Sequence, residues 1–374
     1  MNRRPSQSRT GFDSFSPQHT AHFKAAQPGG EFFEPKPRAS LGRRLLLALL
    51  LMTLIALAVN LAVNQFVRVA RVTVPIRRMD PAFEGYTLLQ ISDLKGATYG
   101  SNQALIRFAL QNEDFDAVVF TGDMVSSRGN AQPLYALIEM LRELKPDAPI
   151  YMIPGDKDPL PASMSYATGG SPFAPWVLGA KQRGGQLLSA PVQIERDGHT
   201  LWLTTSALLI LDMDTMQAQF ERQYLDALAN GDENAIELTT YNLQWLTETR
   251  NARAKMTDAD VYIALTHVPP ADEELESAYP GSLRERVHLV LCGHYQGGLI
   301  RLPFAGALFI PSQNLPLYGL LPGADTYFGL TRKGRTYLYV SPGLGGNDGL
   351  YPLPFFRLFN PPTVSLISLT TSSL

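Results

Sequence analysis

The amino-acid sequence predicts an α/β fold, a layered sheet with helices on its outside, behind one N-terminal transmembrane helix. Three observations support this prediction. From about residue 70 onward, short apolar segments alternate with segments of helical spacing. Several apolar segments end in Gly or Ser beside Asp, a pattern typical of strands that carry functional groups at their carboxyl ends. A long apolar run precedes all of them.

Size and charge limit the domain organisation and the partners. The chain has 374 residues, 18% charged and 45% hydrophobic, enough for one large globular domain plus attachments. The first 44 residues carry eight basic and three acidic side chains, a balance of +5, so a net charge of -2 leaves -7 for the remainder. That remainder shows no basic stripe, and we expect no nucleic-acid partner. The single cysteine, Cys292, excludes an intrachain disulfide.

The N-terminal part is predicted to comprise a disordered tail, residues 1–42, and a transmembrane helix, residues 43–68. The tail is rich in Ser, Pro, Gly and Gln and has no helical or strand period. The apolar run over 45–67 would span ~34 Å as a helix, which is enough to cross a bilayer. The lipid bilayer is therefore an expected partner.

A cleaved signal peptide is the alternative interpretation of the apolar run. Residues 56–58, Ala-Leu-Ala, resemble a small-residue cleavage site, but the run continues beyond them and favours an uncleaved anchor. Four basic residues lie close to the segment on each side, so the positive-inside rule gives no orientation. Our expectation is a single-pass membrane protein with its tail inside and its domain outside the cytoplasm.

Residues 69–374 are predicted to form one domain of strands and helices. In the first half, strands are predicted over 71–76, 86–91, 117–120 and 150–153, and helices over 103–110 and 134–144. In the second half, strands are predicted over 187–194, 201–205, 261–265, 287–292, 336–340 and 363–369, and two amphipathic helices over 214–230 and 238–254. This order favours a sheet with helices packed outside it.

Aspartates and histidines follow these strands where each one ends. They are Asp93, Asp123, Asp156, His267 and His294. Glycine beside such residues permits a tight turn, and aspartate offers a hard oxygen ligand. Because the carboxyl ends of parallel strands meet at one edge of a sheet, we expect these side chains to converge there.

These motifs resemble those of the calcineurin-like metallophosphoesterases. The loop 291–298 reads L-C-G-H-Y-Q-G-G and is similar to the family's G-H-x-H-G-G loop, with Gln296 in place of the second histidine. The resemblance covers about residues 70–370 and is strongest to a membrane-anchored bacterial cell-envelope subgroup. That subgroup also has an Arg-Leu-Pro strand, here within 300–304, and a Ser-x-Gly-Leu-Gly loop, here 341–345. The resemblance implies a four-layer αββα sandwich and a site in which two metals activate water and hold phosphate oxygens.

The first metal's ligands in that family fall on positions where this chain has degenerate motifs. They correspond to Asp93, Lys95, Asp123 and Gln296. Lysine has no free lone pair at neutral pH, and glutamine is a poor substitute for imidazole at a transition metal. A second metal is therefore doubtful.

The other metal's ligands correspond to Asp123, Asp156, His267 and His294, all of which can bind a cation. We expect one divalent ion there, and two His with two carboxylates suit Mn, Zn or Fe. The family's general-acid histidine corresponds to Lys157.

Lys95 is expected beside the vacated first position, paired with Asp93 and Asp123, because two buried carboxylates without a partner would be costly. The alternative is that Lys95 and Lys157 are loop lysines facing water. Four further residues are interpreted as structural: Asp158 as a turn or capping residue, His199 as exposed in a hairpin turn, His288 as part of the scaffold, and Cys292 as a small packed side chain.

Two functions follow from the resemblance. The first is an enzyme that hydrolyses a phosphate mono- or diester with one metal, with Asp93, Lys95 and Lys157 as the other active groups and a lipid-linked or cell-wall phosphate ester as substrate. The second is an inactive pseudophosphoesterase that binds a ligand or acts as a scaffold at the membrane.

Overall fold

The computed structural model describes residues 40–126, 128–163, 165–166, 171–276, 287–302, 306–310, 320–323, 327–346 and 357–371. The tail predicted over 1–42 lies outside these residues, apart from its last three. The chain divides into two units, Met1–Thr53 and Leu54–Leu374. The described part of the first unit is residues 40–53, most of which belong to a helix.

The helix α1 (Leu41–Val63) is the single helix in the described part of the chain that is long and apolar enough to cross a membrane. Its apolar side chains are exposed along its length. The predicted segment is therefore helical, beginning two residues before and ending five residues before the predicted bounds of 43 and 68.

The second unit contains seven further α-helices and fourteen strands in its described residues. The helices are α2 (Ala104–Leu110), α3 (Gln132–Leu144), α4 (Pro175–Gln182), α5 (Ser206–Ile210), α6 (Met213–Asn230), α7 (Glu233–Lys255) and α8 (Asp272–Glu276). The strands are β1 (Arg68–Pro75), β2 (Thr87–Ile91), β3 (Ala117–Thr121), β4 (Ile150–Ile153), β5 (Gly185–Leu187), β6 (Val192–Arg196), β7 (His199–Thr205), β8 (Val261–Leu265), β9 (Leu289–Cys292), β10 (Ile300–Leu302), β11 (Gly306–Phe309), β12 (Gly329–Lys333), β13 (Thr336–Val340) and β14 (Thr363–Thr370).

Twelve of these strands form two six-stranded mixed sheets. The first sheet has the order β1-β14-β2-β3-β4-β5, and the second has the order β12-β13-β9-β8-β7-β6. Strands β2, β3 and β4 are parallel to one another, as are β7, β8 and β9. The remaining strands, β10 and β11, form a separate antiparallel hairpin.

Apolar side chains fill three layers between and outside the sheets. The layer between the sheets joins side chains such as Val119 and Ile153 of the first sheet to Ile263 and Leu291 of the second. A second layer lies where α3 and α4 cover the outer face of the first sheet, and a third lies on the outer face of the second sheet. The predicted four-layer αββα sandwich is confirmed.

Local sequence explains where the longer helices begin and end. The side chain of Asp212 accepts hydrogen bonds at the start of α6, and that of Asp232 does so at the start of α7. Gly231, in the left-handed region at φ 63°, ends α6. Pro133 sits in the first turn of α3, where its missing N–H costs nothing.

One predicted strand is wrong. Residues 187–194 were expected as one strand, but they contribute to two: β5 ends at Leu187 in the first sheet, and β6 begins at Val192 in the second. The segment between them contains Pro191, which has no backbone N–H for a sheet ladder. The chain therefore changes sheets at this point.

Candidate metal centre

The predicted site residues lie in loops that follow five strands. Asp93 follows β2, Asp123 follows β3, Asp156 follows β4, His267 follows β8 and His294 follows β9. Because β2–β4 are parallel within one sheet and β8–β9 within the other, their carboxyl ends open at the same edge of the sandwich. The structure brings all five residues together there.

Glycines let the loops approach closely. A Cβ at Gly155 would lie 2.2 Å from both the backbone nitrogen and Oδ1 of Asp123. A Cβ at Gly122 would lie 2.6 Å from Nδ1 of His267. No side chain fits at either position, so the sequence pattern of glycine beside aspartate reflects close packing of these loops.

The imidazole of His267 is fixed by a backbone carbonyl. Its Nδ1 lies 2.8 Å from the carbonyl oxygen of Thr121, to which it donates a hydrogen bond. This bond leaves Nε2 facing the site, 3.0 Å from Oδ1 of Asp156 and 3.3 Å from Oδ2 of Asp123. Such an outer hydrogen bond is typical of histidines that bind metal ions through the other ring nitrogen.

Asp156 and His294 complete a cluster with His267. Nδ1 of His294 lies 3.5 Å from Oδ1 of Asp156, and the two imidazole rings meet edge to face at 5.2 Å between centroids. One ligand atom from each of the three residues lies within 4.8 Å of the others. A second group of the same kind comprises Asp93, Asp123 and His267, so the two groups share His267.

The charges at the site shift its pKa values. Burial opposes protonation of His267, but the carboxylates of Asp123 and Asp156 outweigh it and raise the pKa of the imidazole to about 11. The imidazoles of His267 and then His294 beside Asp156 lower the pKa of its carboxyl despite some burial. Burial of Asp123 favours its neutral form, but His267 and Lys95 together lower its pKa. The carboxylates are therefore ionised and face cations.

Lys95 provides one of those cations. Its Nζ lies 3.3 Å from Oδ2 of Asp123 and 3.9 Å from Oδ1 of Asp93, and its side chain is 5% exposed. The ion pairs predicted for Lys95 are present, and the alternative in which Lys95 faces water is wrong. The carboxylate of Asp93 also accepts hydrogen bonds from the Ser92 hydroxyl at 2.5 Å and the His294 amide at 3.1 Å.

Lys157 differs from Lys95 in its exposure. Its side chain is 52% exposed, and its Nζ lies 3.2 Å from Oδ2 of Asp156. Its backbone N–H donates to Oδ1 of Asp123 at 2.9 Å. The side chain therefore borders the site on the solvent side, as a loop lysine paired with a site carboxylate.

Buried polar atoms with no hydrogen-bond partner mark where a cation fits. Among the described residues they include Asp93 Oδ1, Asp123 Oδ2, His267 Nε2 and Gln296 Oε1. The first three of these atoms lie in the ion pairs described above, but a buried polar atom without a hydrogen bond is costly unless an ion or water completes it. Two His with a carboxylate form a donor set suited to a divalent transition metal, so the cluster of Asp156, His267 and His294 fits a metal ion.

A known protein family and individual known proteins are similar to this chain. The sequence profile of the calcineurin-like phosphoesterase family matches residues 86–296. This chain belongs to the calcineurin-like phosphoesterase family. It is also 25% identical over 267 residues to the uncharacterized metallophosphoesterase YkuE of Bacillus subtilis strain 168, covering 70% of this chain and 73% of that protein. Among solved structures, a phosphopantetheinyl hydrolase of Mycobacterium tuberculosis matches 70% of this chain and 91% of its own at 12% identity, with a TM-score of 0.34.

The remaining interpretations from the sequence can be placed in this phosphoesterase domain. The carboxylate of Asp158 accepts the backbone N–H of Val125 at 2.7 Å and that of Gly155 at 2.8 Å, which confirms a capping role. Burial raises the pKa of Asp158 to about 6.

The structural interpretations of His288, His199 and Cys292 are also confirmed. His288 accepts the N–H of Tyr262 through Nδ1 at 3.2 Å, and burial lowers its pKa to about 4. His199 is half exposed and pairs with Asp80. Cys292 is buried, and its thiol donates to the carbonyl of Tyr339.

The side chain that holds the degenerate loop 291–298 was not predicted from the sequence. Arg357 is 1% exposed, and its guanidinium donates to the carbonyls of Gln296 at 3.0 Å and Pro342 at 2.8 Å. It also donates to the carbonyls of Gly345 and Asn360. The sequence signal for this role is a single arginine within an apolar, proline-containing stretch. An arginine buried in such a stretch needs hydrogen-bond partners, because arginine is rarely buried without them.

Proposed function

We propose that this phosphoesterase-family chain hydrolyses a phosphate mono- or diester at a reduced site with one divalent metal and one ammonium group. The proposal rests on the division of the site into a half with possible metal ligands and a half with a buried lysine. Asp156, His267 and His294 cluster in one half, and Lys95 pairs with the carboxylates of Asp93 and Asp123 in the other.

In this proposal, the metal is held by Asp123, Asp156, His267 and His294. A bound divalent ion polarises phosphate oxygens and lowers the pKa of a water molecule. The Nδ1 hydrogen bond of His267 to Thr121 orients the imidazole for this role. Mn, Zn and Fe all suit the donor set.

Lys95 supplies the positive charge at the other half of the site. It offsets the charges of Asp93 and Asp123 and leaves the site able to accept an anionic phosphate, which two unpaired carboxylates would repel. Lysine binds phosphate as a point charge through three donors. In the proposed reaction it orients the phosphate group.

Lys157 stands at the solvent side of the cluster, paired with Asp156. In the proposed reaction its ammonium stabilises the leaving oxygen as negative charge develops on it. Lysine does not replace the imidazole that the family's general acid uses to protonate the leaving group. We therefore expect a slow reaction.

The proposal places the domain at a membrane, outside the cytoplasm, in the cell-envelope subgroup. It is supported by α1, which has the length and composition of a membrane span. A single-pass anchor keeps the site near lipid, so a lipid-linked or cell-wall phosphate ester is the proposed substrate class.

Metal content and turnover of the detergent-purified full chain test this proposal together. We expect one tightly bound metal by elemental analysis and metal-dependent hydrolysis of an aryl phosphodiester. Asp156→Ala should lose both, whereas Asp272→Ala, which removes a surface ion pair with Lys333, should lose neither. Full metal-dependent activity in Asp156→Ala would refute the assignment.

A pseudophosphoesterase is the second candidate function. It is favoured by the exposure of Lys157, which stands where the family's general acid belongs, and by Lys95, whose ammonium already pairs with the carboxylates that correspond to the family's first metal ligands. In that case the unmodified chain shows no turnover, and a Lys95→His, Lys157→His, Gln296→His variant gains it. Strong turnover by the unmodified chain would exclude this candidate.

A further inference from the structure

The last turn of α1 is hydrogen-bonded to a loop from the far end of the chain. Side-chain amides of Asn60 and Asn64 donate to the carbonyl oxygen of Arg357 at 2.7 and 2.6 Å. The backbone N–H of Phe359 donates to Oδ1 of Asn60 at 2.8 Å. Asn60 is the single buried residue of α1, so this contact fixes residues 357–359 at the level of the helix end.

The level of that contact relative to a bilayer follows from helix geometry. Asn60 lies three residues before the end of α1, which is about 4.5 Å along the axis. A 23-residue helix is only slightly longer than the ~30 Å hydrocarbon core. If α1 spans the membrane, residues 357–359 therefore stand at the boundary between acyl chains and headgroups.

Exposed apolar side chains lie on the segments connected to this contact. Phe66, Leu302, Phe328 and Phe359 are 68%, 40%, 37% and 42% exposed. Phe66 follows the helix by three residues, and Phe359 lies in the loop itself. Strand β10, which ends in Leu302, is bridged to the loop through Ile300 and Leu358.

Arg301 adds a positive charge among these apolar groups. Its guanidinium stacks over the ring of Phe328 at 4.1 Å, and Nε donates to the carbonyl of Gly297. Its Nη2 is buried with no hydrogen-bond partner among the described residues. Burial lowers the pKa of Arg301, and the nearby charge of Arg68, at the start of β1, lowers it further.

We propose that Phe66, Leu302, Phe328, Phe359 and Arg301 form a headgroup-facing surface that inserts into the lipid interface beside α1. This inference rests on the membrane anchoring proposed above. Aromatic rings and arginine are the side chains that favour this layer, where rings contact acyl chains. Because Nη2 of Arg301 is buried and Nε binds Gly297, only the other end of its guanidinium is available to lipid phosphates in this proposal. Lipid is the occupant because the surface is continuous with the end of the apolar helix.

The headgroup-facing surface is also continuous with the metal centre. The loop whose backbone binds Asn60 carries the Arg357 side chain, which binds the carbonyls of Gln296 and Pro342. Asn360 of the same loop donates to the carbonyls of Gln296 and Gly298. Interfacial insertion would therefore be transmitted to the degenerate loop of the site through the buried hydrogen bonds of Arg357 and Asn360.

Depth-dependent fluorescence quenching tests the surface in the full chain. Phe359→Cys and, as control, Leu225→Cys are labelled with an environment-sensitive fluorophore and reconstituted in phosphatidylethanolamine–phosphatidylglycerol vesicles. Leu225 is 63% exposed on α6, and the native Cys292 is buried and does not react. Shallow spin-labelled lipids should quench the label of the Phe359→Cys variant and leave that of the Leu225→Cys variant unchanged.

Each other result contradicts the proposal in a distinguishable way. Equal quenching of the two labels, with the protein still resistant to alkaline extraction, would retain the anchor and refute the surface. A label on the Phe359→Cys variant shielded from both lipid and aqueous quenchers would indicate a protein partner or a second copy instead. Extraction of the protein from the vesicles at alkaline pH would refute the anchor and the surface together.

Discussion

The two carboxylates at the centre of the candidate site, Asp123 and Asp156, each contact both an ammonium group and an imidazole, but the ammonium of Asp123 is buried and that of Asp156 is exposed. Asp123 contacts the ammonium of Lys95 and the imidazole of His267, whereas Asp156 contacts two imidazoles and the exposed ammonium of Lys157. Lys95 is buried with its partners, so removing it leaves two desolvated carboxylates in the metal-free protein.

Replacing Lys95 should therefore cost stability that a metal ion can restore. We expect Lys95→Met to lower the free energy of unfolding by about 3–5 kcal/mol in the absence of metal. Added Mn²⁺ or Zn²⁺ should recover part of that loss, because a cation then balances Asp93 and Asp123. Urea denaturation with and without metal measures both effects.

The matched control is Lys157→Met, because that lysine also pairs with a site carboxylate but is half exposed. Its cost should be about 0–1 kcal/mol. Equal losses in the two variants would contradict the distinction between a buried and a surface ion pair.

The charge on His267 predicts a pH dependence of metal binding. Burial works against protonation, but the carboxylates of Asp123 and Asp156 raise the pKa to about 11, so the metal-free imidazole carries a proton at neutral pH. A metal must displace that proton, and the apparent affinity should rise by up to about tenfold per pH unit between pH 7 and 9.

Calorimetric titration in buffers of different ionisation enthalpy would measure the protons released on metal binding. We expect about one proton per metal ion, because the carboxylates are already ionised. An affinity that does not change over this pH range would show that His267 is neutral before metal binds.

At the scale of elements, the carboxylate of Asp158 links the loops after β3 and β4, in addition to the hydrogen bond from the Lys157 amide to Asp123. Asp158 accepts the N–H of Val125 through one oxygen and the N–H of Gly155 through the other. These loops also carry Asp123 and Asp156, so Asp158 sets the distance between two proposed ligands without binding the metal.

Substitutions that remove one or both acceptor oxygens of Asp158 should weaken the link between the two loops. We expect Asp158→Ala to lose about 1–3 kcal/mol, because two backbone amides lose their acceptor. Asp158→Asn should lose less, since its single carbonyl oxygen still satisfies one amide. Thermal unfolding measures stability, and metal affinity should fall in the same order; an Asn variant less stable than the Ala variant would contradict this account.

Elements buried on both faces could be predicted best from the sequence. The strands over 150–153, 261–265 and 336–340 have the predicted bounds, because each is an apolar run bounded by turn residues. Helix α4 was missed, since it is short and contains Gly179, which packs against the ring of Tyr135. Its helical conformation depends on that tertiary contact rather than on local propensity.

The site could be predicted as a set of residues but not as a geometry. The order of aspartates and histidines along the chain indicated which side chains converge, because each follows a strand. The sequence did not indicate that His267 belongs to both ligand groups, since that depends on how the two sheets pack. Nor did it indicate Arg357, whose partners are backbone carbonyls without a sequence signature.

At the scale of the whole molecule, Arg357 connects segments that are distant in the chain. Its guanidinium binds carbonyls on both sides of the site, and its own carbonyl binds the end of α1. Burial lowers its pKa to about 10, so it stays charged at neutral pH.

We expect Arg357→Leu to be among the most destabilising single substitutions in the domain. It removes a donor from four buried carbonyls, of which that of Gln296 keeps a second donor in Asn360, at a cost of about 3–5 kcal/mol. The control is Arg250→Leu, which removes an exposed pair with Asp214 and should cost about 0–1 kcal/mol. Chemical denaturation in detergent compares them, and an equally mild effect of both would show that other groups satisfy the Arg357 carbonyl partners.

The pairing of β1 with β14 governs when this protein can fold. These strands lie side by side for eight residues, from Arg68 opposite Thr363 to Pro75 opposite Thr370, and β14 separates β1 from β2. Until Thr363–Thr370 has been synthesised, β1 has no partner in its sheet. Contacts between such distant segments form slowly, so α1 and β1 leave the ribosome long before the sheet can close. During that interval the chain exposes an unpaired strand edge, which is open to pairing with other chains.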